Sequence, residues 1–277
     1  VSALSLAIGR TPRSAALLDA PPEGVAVVAV QPVSRAFAPM LREGRYDLSE
    51  MAIASFLMAR AAGLPVVLLP CVLAARAQEG SLLCRADSPL RGPGDLRGAR
   101  IGVRAYSQTT GMWLRGVLAE GYGLAPAAMR WITFEEAHVA GFRDPPFCTR
   151  APEGASLEAM LREGALDAAI FGSDAPADAA LRCVFPDPAA EAAAFRAAHG
   201  FTPVNHLLIA RREVAAARAE EIARLLAALA ASGAEVTTRA ALAPALALAS
   251  AWCAAQGLIP RPLGLEEIWA GTPERFA

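Results

Sequence analysis

The side chains able to do chemistry in this chain are polar residues placed at the ends of apolar runs. Ser49, Glu50 and Ser55 stand where a short polar segment meets a strongly apolar run. Glu50 has two readings. An acidic residue near a helix start is favoured by the helix dipole, and the same carboxylate facing a cleft would act as a base. Ser55 reads equally as a small packing residue or a ligand contact. His206, in the apolar run VNHLLIAR, is a structural hydrogen-bonder or, in a cleft, the chain's best proton-transfer group. Arg13 offers a planar fork to a carboxylate, or is a solvated first-turn residue. In Tyr106–Thr110 (YSQTT), Thr109 and Thr110 are N-cap types. A helix beginning there, with Gln108 before it and Gly111 allowing close approach, presents free amides and partial positive charge to an anion. The alternative is an ordinary capped helix. Ser173 and Asp174 stand at a further strand end.

A strand–helix alternation must position these groups. Apolar runs at 3–8, 25–30 and 66–69 predict strands, the second buried on both faces because its β-branched run is nearly continuous. Residues 34–42 and 53–62 predict helices, the latter ended by Gly63 and Pro65. After a strand at 82–85 comes SPLRGPG, a composition change that predicts a crossing into a second lobe at about Arg85–Pro89. There, 100–103, 130–134 and 167–171 predict strands. The proline-broken stretch 135–155 predicts a long loop, which makes Glu135, Glu136 and His138 solvated or lid residues rather than metal ligands. Val204–Arg211 predicts the returning strand, and two long helices follow over 213–231 and 239–256. The expected class is α/β with two lobes, each a mixed, mostly parallel sheet, joined by two crossover strands. Residues 1–86 and 204–277 form the first lobe and 87–203 the inserted second. Ligands of such sheets sit beyond the carboxyl ends of the strands, which places a site between the lobes.

Composition excludes several classes. The 277 residues carry a net charge of −1, so no nucleic-acid partner is expected. All 26 basic residues are arginine, which removes a lysine Schiff base, an internal PLP aldimine and a Walker-type phosphate lysine. Five scattered cysteines without a C-x-x-C and only three histidines offer no metal pattern, and no cofactor is expected. Arg and Glu interrupt each alanine-rich run before ~20 apolar residues, so membrane insertion is not expected. The start, VSALSLAIG, lacks the basic and long apolar regions of a secretory leader. The expectation is a cytoplasmic protein, or a periplasmic one if a leader has been removed.

Several stretches resemble one family nearly end to end: SLAIGRTPRSAALLD, REGRYDLSEMAIASFLMAR, YSQTTGMWLRGVL, LEAMLREGALDAAIFGSDAP and TPVNHLLIARREV. DLSEM, the Tyr106–Thr109–Trp113–Arg115–Gly116 spacing and PVNHLLIAR carry most of the specificity. The chain is similar to bacterial 4,5-dihydroxyphthalate decarboxylases, which resemble type 2 periplasmic solute-binding proteins in fold. The resemblance implies cleft roles for Arg13, Ser49, Glu50, Ser55, Tyr106, Thr109, Thr110 and His206. It departs at Gly9–Pro12, where the family shows an aromatic and an acidic residue. At Gln78 and Glu79 an Arg-His pair is replaced, which removes charge suited to a second carboxylate. A Pro-Tyr-Gly segment between the late helices is also missing.

Two functions follow. The first is a cofactor-free lyase on a small, aromatic carboxylic acid. His206 and Glu50 would move the proton, while Arg13, Ser49, Ser55, Tyr106, Gln108, Thr109, Thr110 and Ser173 would bind. The second is a solute receptor of an importer, or a cytosolic sensor, in which closure of two lobes is the whole mechanism.

Overall fold

The computed structural model describes residues 2–172 and 175–276; Ser173 and Asp174 lie outside the described residues. The first lobe opens with Leu4–Ile8 (β1), Ala15–Asp19 (α1), Val25–Ala29 (β2), Phe37–Glu43 (α2), Leu48–Ala52 (β3), Ile53–Ala61 (α3) and Val66–Ala75 (β4). The second contains Leu82–Arg85 (β5), Arg100–Val103 (β6), Thr109–Tyr122 (α4), Arg130–Thr133 (β7), Cys148–Arg150 (β8), Leu157–Arg162 (α5), Ala168–Ile170 (β9), Leu181–Cys183 (β10) and Pro188–His199 (α6). The chain then returns through Val204–Arg211 (β11), Arg212–Ala217 (α7), Ala219–Ala231 (α8), Glu235–Val236 (β12), Arg239–Ala255 (α9) and Leu265–Trp269 (α10).

The sheets run β12-β4-β11-β3-β1-β2 and β10-β5-β9-β6-β7-β8. Two lobes and a returning strand at Val204–Arg211 agree with expectation, but the details differ. β5 pairs with β9 and β10 in the second sheet. The crossing therefore occupies 76–81, not Arg85–Pro89, and a first lobe reaching residue 86 is corrected accordingly. The second sheet is mostly parallel as expected, with β6 parallel to β7 and β9 and β7 parallel to β8, but the first is not. β1 runs parallel to β2 and β3, while β11, β4 and β12 pair antiparallel. The cause is topological: β4 leaves for the second lobe and β11 comes back beside it, so neighbours must oppose. β2 is an edge strand with Val28 exposed, not one buried on both faces. Its apolar run reflects β propensity rather than depth. The helix expected over 213–231 breaks at Arg218 into α7 and α8.

The two crossings are fastened side by side. The Arg76 amide donates to the Pro203 carbonyl at 3.0 Å. Gln78 Nε2 donates to Asn205 Oδ1 at 2.8 Å and Asn205 Nδ2 to Gln78 Oε1 at 3.2 Å. Both amides are buried, so each satisfies the other where water is absent. One apolar core then runs through both lobes, joining α2 and α3 to α4, β7 and α9. At its centre α9 lies against α4 where Gly116 has no side chain; a Cβ there would stand 1.8 Å from Trp252 Cε3. Among the described residues no helix is long and apolar enough to cross a membrane.

Candidate active site

Every residue of β3 is buried, including Ser49 and Glu50, because the strand lies inside the first sheet between β1 and β11. A carboxylate is tolerated there only if its oxygens are engaged. Both are. Glu50 Oε2 accepts the Gly9 amide at 3.0 Å, and Oε1 lies 2.6 Å from His206 Nδ1. The register explains the second contact. His206 opposes Ala52 and Leu208 opposes Glu50, so the two side chains are diagonal neighbours on one face. Gly9 is fixed in turn by Ser14, whose Oγ donates to the Gly9 carbonyl at 2.6 Å. Glu50's side chain is 4% exposed and His206's 26%. The carboxylate therefore orients, and the imidazole, with Nε2 left over, is the partner able to work.

The second imidazole here is His138, read from the sequence as a solvated or lid residue. The loop after β7 carries it across to the first lobe, where its Nδ1 lies 2.8 Å from Ser55 Oγ. Arg42 on α2 pins the loop, donating from Nη2 to the Ala137 carbonyl at 2.7 Å and from Nε to the His138 carbonyl at 2.9 Å. Phe37 packs edge-on against both imidazoles, with centroid distances of 5.2 Å to His138 and 5.4 Å to His206. A crevice of about 350 Å³ opens between α2 and the second lobe, with Arg35, Arg42, Arg104, Glu135, Glu136 and His138 in its lining. That volume suits a small ligand. Arg104 reaches across it, donating to Ser34 Oγ at 2.9 Å, and lies 3.6 Å from Glu135.

Burial pushes His138 down to about 4, with the charges of Arg104, Arg42 and His206 acting in the same direction. The imidazole is neutral at pH 7. An unfolded chain takes up this proton near pH 6.5. Stability is therefore expected to fall as pH drops from about 6.5 to about 4, by about 3 kcal/mol from this residue. Urea unfolding of the wild type and His138→Gln at pH 7.5 and 4.5 checks it; the variant should lose less on acidification.

Other expected site residues are placed differently. Ser49 donates to the Glu50 carbonyl at 2.7 Å and is fully buried, a strand residue rather than a ligand contact. Thr109 does not cap its own helix. Its Oγ1 accepts the Ala54 amide of α3 at 3.3 Å, and Gln108 is the N-cap of α4 without a side-chain bond. Thr110 Oγ1 accepts from Arg76 at 3.1 Å. Both hydroxyls join structural elements, which leaves less for a ligand than expected. The bare face of Gly111 approaches Arg115 Nη1, 3.0 Å from an added Cβ. Tyr106 is fully buried in a different cluster. Its hydroxyl donates to the Gln256 carbonyl at 3.1 Å, and burial raises its pKa to about 12. It does not join Glu50 and His206. Arg13 is exposed, and its carbonyl accepts from Ser232; among the described residues no hydrogen bond or ion pair links its side chain to the pair. Ser173 lies outside the described residues. Glu50, His206 and Ser55 are thus brought together, with Phe37, Arg42 and His138 added. Among the described residues no cluster of three His, Cys, Asp or Glu could hold a metal ion.

Two lobes, two adjacent crossings and an interlobe crevice define a protein of the periplasmic-binding-protein fold. The aliphatic sulphonate-binding protein SsuA of Escherichia coli superposes with a TM-score of 0.58 at 16% identity, covering 98% of this chain and 82% of that one. The alkanesulfonate-binding SsuA of Xanthomonas axonopodis pv. citri gives 0.56 at 18%, covering 99% and 85%. Residues 22–142 match the family model described as NMT1/THI5 like. The protein of Pseudomonas putida named 4,5-dihydroxyphthalate decarboxylase is 31% identical over 184 residues, 62% of this chain and 71% of the relative. Its namesake from Comamonas testosteroni is 28% identical over 237 residues, 76% and 69%. The chain belongs to the 4,5-dihydroxyphthalate decarboxylase family.

Proposed function

We propose that this protein is a carboxy-lyase that removes CO₂ from a small hydroxylated aromatic acid held between the lobes. The observation that carries the reading is the buried Glu50–His206 pair at 2.6 Å, with the imidazole the more exposed partner. A receptor needs shape and charge to bind an acid, and has no need of a carboxylate that fixes an imidazole's tautomer. In the proposed reaction His206 gives a proton from Nε2 to the ring carbon bearing the carboxylate. The bond from that carbon to the carboxyl group then breaks, its electron pair stays in the ring, and CO₂ leaves. A hydroxyl para or ortho to that carbon stabilises the intermediate by releasing charge into the ring, and Glu50 stabilises the imidazolium before transfer. The crevice lining sets Arg35, Arg42 and Arg104 against Glu135 and Glu136, and the surplus of positive charge favours an anionic substrate.

The family relationship supports the same class, since both relatives carry a decarboxylase name. The reading is tested by incubating the pure protein with 4,5-dihydroxyphthalate or 3,4-dihydroxybenzoate, following loss of the acid by chromatography and release of CO₂. Turnover by either is the expected result. Tight calorimetric binding without CO₂ release would replace the lyase reading with a solute receptor or sensor.

A further inference from the structure

The Glu50–His206 pair belongs wholly to the first lobe, on β3 and β11. The second lobe reaches the same Phe37 ring through one imidazole, His138. We propose that His138 binds a ring hydroxyl of the substrate through Nε2, so that the second lobe reads hydroxylation while the first supplies the proton. This rests on the aromatic-acid reading given above.

Three observations support it. His138 lines the crevice, and its Nδ1 is already committed to Ser55 at 2.8 Å. Among the described residues its Nε2 makes no hydrogen bond, so one polar atom remains for a ligand. The loop is also held in place before any ligand arrives, because Arg42 grips two consecutive carbonyls, so little ordering is left for binding to supply.

The chemistry of the contact selects a hydroxyl. When Ser55 accepts from Nδ1–H, Nε2 is an acceptor; when Ser55 donates, Nε2–H is a donor. A carboxylate fits only the donor form and an ammonium only the acceptor form. A hydroxyl fits both. Arg42 and Arg104 disfavour a protonated His138, as does His206, while Glu135 and Glu136 on the same loop and Glu50 behind His206 oppose them. The balance leaves His138 neutral and too weak a base to remove a phenolic proton. Its role is recognition by a hydrogen bond, and proton transfer stays with His206.

The test compares calorimetric binding of 4,5-dihydroxyphthalate with phthalate, and of 3,4-dihydroxybenzoate with benzoate, on the full chain carrying His206→Gln to suppress turnover. The hydroxylated member of a pair should bind about tenfold tighter, the worth of one satisfied hydrogen bond. Adding His138→Phe, which keeps the ring against Phe37, should abolish the preference and leave the unhydroxylated acid within about threefold. His138→Gln should restore part of the preference. A preference that survives His138→Phe, or no preference before it, overturns the proposal while leaving the lyase reading intact. Failure of all four acids to bind overturns both. Thermal unfolding of each variant confirms that a folded protein is being compared.

Discussion

His206→Gln is expected to lower kcat by two to four orders of magnitude on whichever acid the wild type turns over, while KM changes by less than about tenfold. General acid catalysis by a positioned group contributes about 10²–10⁴, and this substitution removes the proton without removing the shape. Glutamine is the informative replacement. Its amide can still donate to Glu50 Oε1, the atom that lies 2.6 Å from His206 Nδ1 in the wild type. His206→Ala would leave a carboxylate inside the sheet with Gly9 as its remaining donor. That adds an unfolding cost of about 1–3 kcal/mol to the catalytic loss. Glu50→Gln should fall between wild type and His206→Gln, since the imidazole stays but the charge that steadies its cation is gone. Steady-state kinetics of the three variants, with denaturation curves beside them, would check the order. Wild-type kcat in a folded His206→Gln protein would remove His206 as the proton carrier, and the proposed step with it.

Part of this candidate site was legible in the sequence, for reasons that also explain what was not. Glu50 and His206 stood out because a polar residue inside an apolar run must find a partner when the run is buried. The run VNHLLIAR fixed the returning strand, and a returning strand beside β3 makes the diagonal pair a matter of register. His138 was hidden by the opposite logic. It sits in a polar, proline-broken stretch, where solvation is the ordinary outcome, and tertiary contacts bring it inward: the grip of Arg42 on carbonyls 137 and 138, the Ser55 hydroxyl and the Phe37 ring. Its one sequence signal was position, shortly after the carboxyl end of a strand, where open α/β sheets place their ligands. Tyr106, Thr109 and Thr110 misled because residue type suggests capping or ligand contact, yet a hydroxyl satisfies a neighbouring element's amide equally well. Thr109 does so for Ala54. The early crossing at 76–81 was missed because glycine and proline cluster later, at 88–94, while the crossing itself is fastened by Gln78 and Asn205, whose pairing across 127 residues leaves no local pattern.

Arg115→Ala should destabilise the protein by about 3–5 kcal/mol, the other large effect expected here. Arg115 is a fully buried cation on α4, and among the described residues none of its hydrogen bonds goes to a carboxylate. Its Nε donates to Gln256 Oε1 at 2.7 Å and its Nη2 to the Tyr106 carbonyl at 2.6 Å. The guanidinium carbon lies 3.9 Å from the centroid of the Tyr106 ring and 5.1 Å from that of Trp131. Desolvation opposes this charge, so its retention depends on those two acceptors and two π faces together. Alanine leaves a cavity and two acceptors without their donor. Methionine fills the volume but not the hydrogen bonds, and should cost about half as much. Lysine keeps the charge yet cannot offer the planar fork. The same Gln256 also gives Nε2 to the Met112 carbonyl at 2.8 Å and accepts Tyr106 at its own carbonyl, so the end of α9 is tied to α4 through one residue. Urea curves for Arg115→Ala, Arg115→Met and Gln256→Ala measure these contributions separately. A loss for alanine well beyond that for methionine identifies packing as the larger part. Equal, small losses for both would mean that the cost of burying the charge had already cancelled what its contacts supply.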